Sequence, residues 1–215
     1  MSSTNRGTVR TPSDAYYTPA TIANALVALL PITQGSLVLE PSAGGGAFVD
    51  AAMARGARVW AIDIRPEAPA LHRPGLVRAE ARDFLMPTES DLRPDWVIGN
   101  PPFTEFDRHL DRALSLAPNV GFLLRLAVME SAARVEAWAT RWPLRHVWVL
   151  AERPSFTGGA TDSTAYGFFW FQREWAPPAT VTPGWSWKRA GRGLAPLAPR
   201  AAKVVAETSA APVTP

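Results

Sequence analysis

Residues 36–49 read SLVLEPSAGGGAFV, and this stretch decides the fold. Residues 36–39 are apolar enough for a short buried strand, and Phe48 and Val49 begin the apolar face of a helix. Glu40 and three glycines at positions 44–46 lie between the two. Because glycine lets the backbone pass close to a ligand, the pattern predicts a cofactor loop, although a plain connecting turn would use the same residues.

Other apolar segments also end in residues that are suited to binding. Residues 58–62 predict a strand that ends at Asp63, where a carboxylate can bond the two hydroxyls of a ribose. Residues 95–98 predict a strand that leads into residues 100–103, Asn-Pro-Pro-Phe, which we call the NPPF motif. The further glycine that a dinucleotide-binding loop needs after Gly46 is missing, so the pattern favours adenosine over a dinucleotide.

The order of the predicted elements defines the fold class. Further strands are expected at residues 76–79, 120–128, 145–150 and 166–171, and helices at 19–30, 104–117 and 131–142. Strands and helices alternate until the last two strands, which read as an antiparallel pair. We therefore predict an α/β, doubly wound, mostly parallel sheet with a C-terminal antiparallel hairpin and with ligands at the carboxyl ends of the strands.

The composition excludes several classes of protein. The 215 residues include no cysteine, which rules out disulfides, cysteine-based zinc or iron–sulfur sites and a cysteine nucleophile. His72, His109 and His146 lack the spacing of a metal site, so we expect no metal. The polar N-terminus and the interrupted apolar stretches predict neither a signal peptide nor a membrane span, hence a cytoplasmic protein without a membrane partner.

The chain divides into three parts by composition. Residues 1–13 are expected to form a flexible N-terminus, residues 14–175 one folded catalytic domain, and residues 176–215 a disordered tail rich in Pro and Ala. The last 30 residues are basic and carry, against Glu207 alone, Lys188, Arg189, Arg192, Arg200 and Lys203. Four tail residues are candidates for stacking on bases and contacting phosphates: Trp185, Trp187, Lys188 and Arg189. Alternatively, the tryptophans fold back on the domain and the basic residues stay solvated.

The NPPF motif combines groups that would hold a planar amine. The Asn100 side-chain oxygen and the Pro101 carbonyl are acceptors, Pro102 makes the backbone rigid, and Phe103 offers an aromatic face. An aromatic amine delocalises its lone pair into its ring, so it attacks a methyl group well only when acceptors hold both hydrogens and favour a tetrahedral nitrogen. No general base is needed, since the proton can leave after transfer. A Pro-Pro turn with Asn as a turn residue is the plain alternative.

These motifs, in this order, resemble those of the class I S-adenosylmethionine-dependent amino-methyltransferases, especially the adenine-N6 DNA methyltransferases. The resemblance covers residues 14–175 and rests on Thr18-Pro19, on EPSAGGGAF at residues 40–48, on Asp63, on Asp83-Phe84 and on the NPPF motif. It implies the Rossmann-like fold of that class with seven strands. It also implies S-adenosyl-L-methionine as the cofactor, released as S-adenosyl-L-homocysteine.

The resemblance implies a role for each matching residue. The methionine part of the cofactor would be surrounded by Tyr17, Thr18, Pro19, Glu40, Pro41, Ser42, Ala43, Gly44 and Gly46. Asp63 would hold the ribose, and Asp83 and Phe84 would contact the adenine ring of the cofactor. The target amine would be gripped by Asn100, Pro101, Pro102 and Phe103, with Asn100 also beside the cofactor. Arg153 and Phe156 match the position where this family packs an aromatic ring against the flipped base.

The chain departs from the family in one respect. Members that read a DNA sequence usually carry a separate recognition domain, and the residues between Phe103 and Phe156 are all needed for core elements. We therefore expect no target-recognition domain. Specificity would be relaxed, or would reside in a partner, in a homodimer or in short loops such as residues 157–164.

The resulting hypothesis is an S-adenosylmethionine-dependent methyltransferase acting on the exocyclic N6 amine of adenine in DNA, in a bacterial or phage-infected cell. Three alternatives stay open. Structured RNA also presents adenine, and a protein glutamine presents a planar amide to the same motif. A regulatory subunit could keep the fold without activity, although the NPPF motif is intact.

Overall fold

A computed structural model describes residues 17–87, 90–156, 164–175, 178–186 and 188. One sheet of eight strands organises these residues. The strands are β1 (Leu37–Glu40), β2 (Arg58–Asp63), β3 (Arg78–Ala81), β4 (Trp96–Gly99), β5 (Asn119–Arg125), β6 (Leu144–Leu150), β7 (Tyr166–Gln172) and β8 (Thr180–Trp185). Their order across the sheet is β3-β2-β1-β4-β5-β7-β6-β8. The first five strands in this order are parallel, and β7 runs antiparallel between β5 and β6.

This arrangement confirms the predicted doubly wound sheet and its antiparallel C-terminal pair. The sheet has eight strands in the described residues where seven were expected, because β8 adds to the edge beside β6. The third strand is two residues later than expected, at Arg78–Ala81. The fifth strand ends at Arg125 and continues as a short 3-10 helix, Leu126–Met129, so the expected extension to residue 128 is wrong. The apolar run stays buried through residue 124, and the pattern alone did not mark this change of backbone conformation.

Four α-helices cover the two faces of the sheet: α1 (Ala20–Val27), α2 (Ala47–Met53), α3 (Phe106–Leu116) and α4 (Val135–Thr140). On one face, Ile22 and Leu26 of α1 and Phe48 of α2 pack with Phe168 of β7. On the other face, Phe106 and Leu110 of α3 pack with sheet residues such as Phe122. Trp142, Trp148 and Trp170 are buried in the core. No helix of the described ranges is long and apolar enough to cross a bilayer.

All three predicted helices are shorter than the sequence suggested. The first runs from Ala20 to Val27, with Pro19 as its N-cap, and residues 28–30 form a turn. The second, α3, begins at Phe106 after a 3-10 turn, Phe103–Glu105, and ends at Leu116. The segment predicted as a helix at residues 131–142 has a 3-10 turn, Ala132–Arg134, before α4. Trp142 closes it by burying its ring against Phe106 and Trp138.

The expectation of a disordered tail from residue 176 onward is wrong for residues 180–185, which form strand β8. Residues 180–185 pair in parallel with β6, and the Ala151 amide donates to the Trp185 carbonyl at 2.8 Å. The β-branched residues Thr180, Val181 and Thr182 favour a strand, and without β8 the backbone of β6 would be an open sheet edge. Residues 1–16 and 189–215, which include the predicted flexible N-terminus, lie outside the described residues.

Candidate functional site

The carboxyl ends of the parallel strands meet at one edge of the sheet, and the predicted site residues lie there. A small, open cleft with a cavity volume of about 30 Å³ lies at this edge. Its lining includes seven of the thirteen residues expected around the cofactor: Tyr17, Thr18, Glu40, Ser42, Ala43, Gly44 and Asn100. The other six do not line it: Pro19, Pro41, Gly46, Asp63, Asp83 and Phe84. Residues far apart in the sequence are thus brought together as predicted, and Gly45, Ala47 and Phe48 join them.

The glycine loop forms the floor of the cleft and depends on its lack of side chains. Gly46 has a φ of 92° and caps the N-terminus of α2, a conformation that favours glycine. A Cβ at Gly45 would lie 3.0 Å from Cγ of Tyr17, because the Tyr17 ring rests on the loop. Arg73 fastens the loop from outside by donating to the Gly45 carbonyl at 3.0 Å and to Asp50 Oδ1 at 3.0 Å.

Glu40 is a buried carboxyl at the head of this loop, with 2% of its surface exposed. Its Oε1 accepts a hydrogen bond from the Ser42 amide at 3.0 Å. Burial raises the pKa of Glu40 to about 8; the Ser42 bond opposes this shift, and the nearby charge of Asp63 adds to it. A side chain at Gly99 would collide with Oε1 of Glu40, so the glycine before the NPPF motif makes room for this carboxyl.

Asp63 lies at the end of β2 as predicted, but its oxygens already have partners. Oδ2 accepts from the Gly44 amide at 2.7 Å, and Oδ1 accepts from the Arg65 amide at 2.9 Å and from Arg65 Nε at 3.0 Å. The Arg65 guanidinium also lies 5.8 Å from the Tyr17 ring. A ribose bound to Asp63 would therefore have to share the carboxylate with Arg65 or displace it. Arg65 is a site residue that the sequence analysis missed.

Asp83 and Phe84 follow β3 and differ in exposure. Asp83 is half-buried, and its Oδ1 accepts from the Leu85 amide at 2.8 Å. The Phe84 ring is buried between His109, at 5.4 Å, and the guanidinium of Arg112, at 5.5 Å. Because this ring packs in the core, the expected contact between Phe84 and adenine could come only from the Phe84 backbone.

Asn100 follows β4 and carries the clearest mark of a binding site. Its Nδ2 donates to Thr18 Oγ1 at 3.3 Å, which fastens the NPPF motif to the start of α1. Its Oδ1 is buried and has no hydrogen-bond partner. Pro101 is buried and Pro102 is exposed. The motif therefore presents an unsatisfied acceptor beside the cleft, fixed on a rigid backbone.

Phe103 belongs to a group of rings that we call the aromatic cluster, made of Phe103, Tyr166 and Phe156. The Tyr166 ring lies 5.9 Å from Phe103 and 5.4 Å from Phe156. The guanidinium of Arg125 stacks 4.5 Å from the Phe103 ring, and its Nε donates to the Tyr166 hydroxyl at 3.3 Å. The sequence analysis predicted Phe103 and Phe156 and missed Arg125 and Tyr166. The signal for Arg125 was its position as a lone charge in the apolar run 120–128.

Of the remaining predicted substrate residues, Arg153, Trp185 and Lys188 are described by the structure, and none of these three lines the cleft. Arg153 is exposed on the loop after β6. Trp185 is half-buried and packs against the same core face as Phe103 and Phe156, so for Trp185 the folded-back alternative holds. Lys188 is exposed, and Trp187 and Arg189 lie outside the described residues. Among the residues that the structure describes, no group of three His, Cys, Asp or Glu side chains could hold a metal.

The raised pKa of Glu40 generates a stability prediction. The folded chain keeps the Glu40 proton up to about pH 8, whereas the unfolded chain releases it near pH 4.5. Since the folded state then binds more protons, the free energy of unfolding should fall as pH rises between these values, by at most about 1.4 kcal/mol per pH unit. In urea unfolding, we expect the Glu40→Gln variant to have the same free energy of unfolding as the native chain at pH 5 and a higher free energy of unfolding at pH 8.

Glu67→Gln is the matched control, because Glu67 is an exposed carboxyl. Its unfolding profile should run parallel to that of the native chain from pH 5 to pH 8. Parallel profiles for Glu40→Gln and the native chain would contradict the raised pKa of Glu40.

Comparisons with known proteins place this fold. No family model matches the sequence, and a search of curated proteins gives no match. The structure resembles a proposed RNA methyltransferase from Pyrococcus horikoshii, with a TM-score of 0.58 and 19% identity over 76% of this chain and 86% of that one. It also resembles a proposed class I S-adenosylmethionine-dependent methyltransferase from Listeria monocytogenes, with a TM-score of 0.63 and 14% identity over 83% and 69% of the two chains.

A third solved structure is the modification subunit of a proposed type I restriction enzyme from Vibrio vulnificus. The TM-score is 0.61 and the identity 17% over 80% of this chain. The chain spans 48% of the length of that subunit. At these identities the likeness concerns the fold, and the chain has the α/β fold of the class I S-adenosylmethionine-dependent methyltransferases.

Proposed function

We propose that this chain is an S-adenosylmethionine-dependent methyltransferase that acts on the exocyclic N6 amine of adenine in DNA. The observation that carries the proposal is the buried, unpartnered Oδ1 of Asn100 beside the cleft. Leaving a buried acceptor unsatisfied costs about 1–3 kcal/mol, so its presence at a rigid strand end favours a ligand that supplies the donor. An amine with two hydrogens is such a donor.

The groups that line the cleft suit the cofactor that this function needs. The glycine loop leaves backbone room at its floor, and Thr18, Glu40, Ser42 and Gly44 line the walls. The buried Glu40 would gain a cationic partner in the ammonium group of the cofactor's methionine, which would favour the ionised carboxylate. S-adenosylmethionine would supply an electrophilic methyl group on sulfur, and Asn100 would stand between the two substrates.

The role of the NPPF motif is to prepare the amine nitrogen. Asn100 Oδ1 and the Pro101 carbonyl would each accept one amine hydrogen, which withdraws the lone pair from the ring. A nitrogen held in this way would be ready to accept the methyl group that the bound cofactor would supply, with the electron pair of the broken sulfur–carbon bond left on sulfur. The positive nitrogen would then release one proton to water.

The aromatic cluster would hold the base from which the amine projects. An adenine in a duplex must be flipped out to reach Asn100, at a cost of a few kcal/mol. Stacking of a base on an aromatic ring contributes about 1–3 kcal/mol and offsets part of this cost. Arg125 supports the Phe103 ring on which the base would stack. We therefore assign Arg125 as a positioning residue.

RNA is the second candidate substrate. The structural likeness to a proposed RNA methyltransferase extends over 86% of that chain, whereas this chain spans only 48% of the restriction-system subunit. Between Phe103 and Phe156 the described chain forms core strands and helices. A protein glutamine or a silent regulatory role has no such support, because the aromatic cluster suits a planar ring and the NPPF motif is intact.

The deciding experiment is transfer of radiolabelled methyl from S-adenosylmethionine to separate pools of duplex DNA, single-stranded DNA, structured RNA and protein. Nucleoside digestion and mass analysis would then identify the product. We expect N6-methyladenine from DNA. Label only in RNA would support the second candidate, and label only in protein, or no cofactor binding in calorimetry, would refute the proposal.

Asn100→Ala should separate chemistry from cofactor binding. Without the amide acceptor, we expect turnover to fall by at least about a hundredfold, while the affinity for S-adenosylmethionine in calorimetry changes little. Asn24→Ala is the matched control, because Asn24 is exposed on α1, and it should keep full turnover. Loss of both properties in Asn100→Ala would mean that Asn100 holds the cofactor pocket together.

Arg125→Lys should weaken the base site without touching the cofactor. Lysine keeps the charge but loses the planar stack on Phe103, a contact of about 0.5–2 kcal/mol. We expect kcat/KM for the nucleic acid to fall by about 2- to 30-fold, with unchanged affinity for S-adenosylmethionine. Arg108→Lys is the control, since its side chain is 68% exposed on α3. An equal loss of cofactor affinity in Arg125→Lys would indicate a general structural role.

A further inference from the structure

The cleft beside the glycine loop is narrower than a nucleoside-sized ligand requires. Its cavity volume is about 30 Å³, which is about the volume that one water molecule occupies in the liquid. Pockets that bind small molecules usually have volumes of about 300–1,000 Å³. Some of the groups at the cleft must therefore move before a ligand of that size can enter.

The Tyr17 ring covers the part of the loop that would otherwise be open. A Cβ placed on Gly44 would lie 3.2 Å from Cδ1 of Tyr17, and a Cβ placed on Gly45 would lie 3.0 Å from its Cγ. The ring thus occupies the room that the two glycines leave above the backbone. Because Tyr17 is 40% exposed, its side chain can turn outward without opening the buried core.

Arg65 holds the Tyr17 ring in this position and also occupies Asp63. Its guanidinium lies 5.8 Å from the centre of the Tyr17 ring. Its Nε donates to Asp63 Oδ1 at 3.0 Å, and its Nη2 donates to Asp63 Oδ2 at 3.2 Å. Hydrogen bonding to Asp63 is the main cause that raises the pKa of Arg65, and a hydrogen bond to Tyr17 adds to this increase. One side chain therefore closes the cleft at two points.

The contact between Arg65 and Asp63 can be exchanged for another. The Arg65 side chain is 31% exposed, so water can bond the guanidinium when it leaves. Asp63 is buried and keeps bonds from the Gly44 amide at 2.7 Å and from the Arg65 amide at 2.9 Å. Its carboxylate therefore stays in place, and the two hydroxyls of a ribose can donate to the oxygens that the guanidinium releases.

We propose that Tyr17 and Arg65 form a gate that closes the cofactor cleft, and that the cofactor opens it when its ribose takes Asp63 from Arg65. This inference rests on the proposed cofactor, S-adenosylmethionine. The apparent affinity for the cofactor is then reduced in proportion to the fraction of chains whose gate is open. Removing a gate contact should strengthen binding, whereas removing an ordinary cofactor contact weakens it.

The test measures binding of S-adenosylhomocysteine to the full-length chain, with association rates from stopped-flow fluorescence and affinity from calorimetry. In Arg65→Ala, Asp63 is free and Tyr17 loses its cation, so both the association rate constant and the affinity should rise by about 3- to 30-fold. Tyr17→Phe loses only the hydroxyl bond to Arg65 and should show a rise of about 2- to 10-fold. Arg58→Ala is the matched control, because Arg58 is exposed at the start of β2, the strand that ends at Asp63.

A second measurement follows the Tyr17 ring itself. The chain has three tyrosines, so labelling with 3-fluorotyrosine gives few fluorine resonances, and Tyr17→Phe identifies the one that belongs to Tyr17. We expect S-adenosylhomocysteine to shift this resonance in the native chain. Arg65→Ala without ligand should shift it in the same direction, because both changes release the ring from Arg65.

If neither Arg65→Ala nor Tyr17→Phe binds faster than the native chain, the gate is wrong and the proposed function stands. Weaker binding in Arg65→Ala would also overturn the gate, because Arg65 would then help Asp63 to hold the ribose. An equal gain in Arg58→Ala would overturn it too, since the effect would come from net charge. A native chain that binds neither S-adenosylhomocysteine nor S-adenosylmethionine would refute the proposed function itself.

Discussion

The contact between the Glu40 carboxyl and Gly99 is the constraint on which the rest of the site depends. Glu40 ends β1 and Gly99 ends the neighbouring strand β4, and any side chain at Gly99 would occupy the place of the carboxyl. The two residues lead directly into the glycine loop and the NPPF motif. Bringing them together therefore sets the glycine loop beside the NPPF motif. Burial of Glu40 is costly when it is charged, and this cost is acceptable at a site where a cationic ligand is expected.

Most of the polar groups around the cleft form hydrogen bonds with one another, and the Asn100 side-chain oxygen is the exception. Asp63 is held by Gly44 and Arg65, and Arg73 holds the loop from outside. Asn100 donates to Thr18 but leaves its oxygen unpaired. Polar groups that bond one another keep the geometry of the cleft without a ligand. An acceptor without a hydrogen-bond partner favours a ligand that carries a donor. The structure thus separates residues that shape the cleft from the residue that would act on the substrate.

The fold and the main motifs could be predicted from the sequence because they depend on short-range patterns. The strand before Glu40, the glycines and the NPPF motif each show their type within a few residues. Arg65 and Tyr166 could not be found in this way, since their importance comes from neighbours distant in the chain. Phe84 shows the converse limit: its motif position suggested a ligand contact, but tertiary packing places its ring in the core. Strand β8 was not predicted because Pro183 and Gly184 are residues that strands rarely contain, whereas the strand depends on pairing with β6.

Different parts of the site meet different physical requirements of the proposed reaction. Under the proposed function, methyl transfer needs acceptors fixed within a fraction of an ångström, and the Asn100 and Pro101 oxygens are on residues that directly follow a buried central strand. Holding a flipped base would need broad apolar surfaces, which the aromatic cluster offers with little dependence on sequence. Neither requirement distinguishes one base sequence from another, so under this function the chain would select its adenines by accessibility more than by the neighbouring bases.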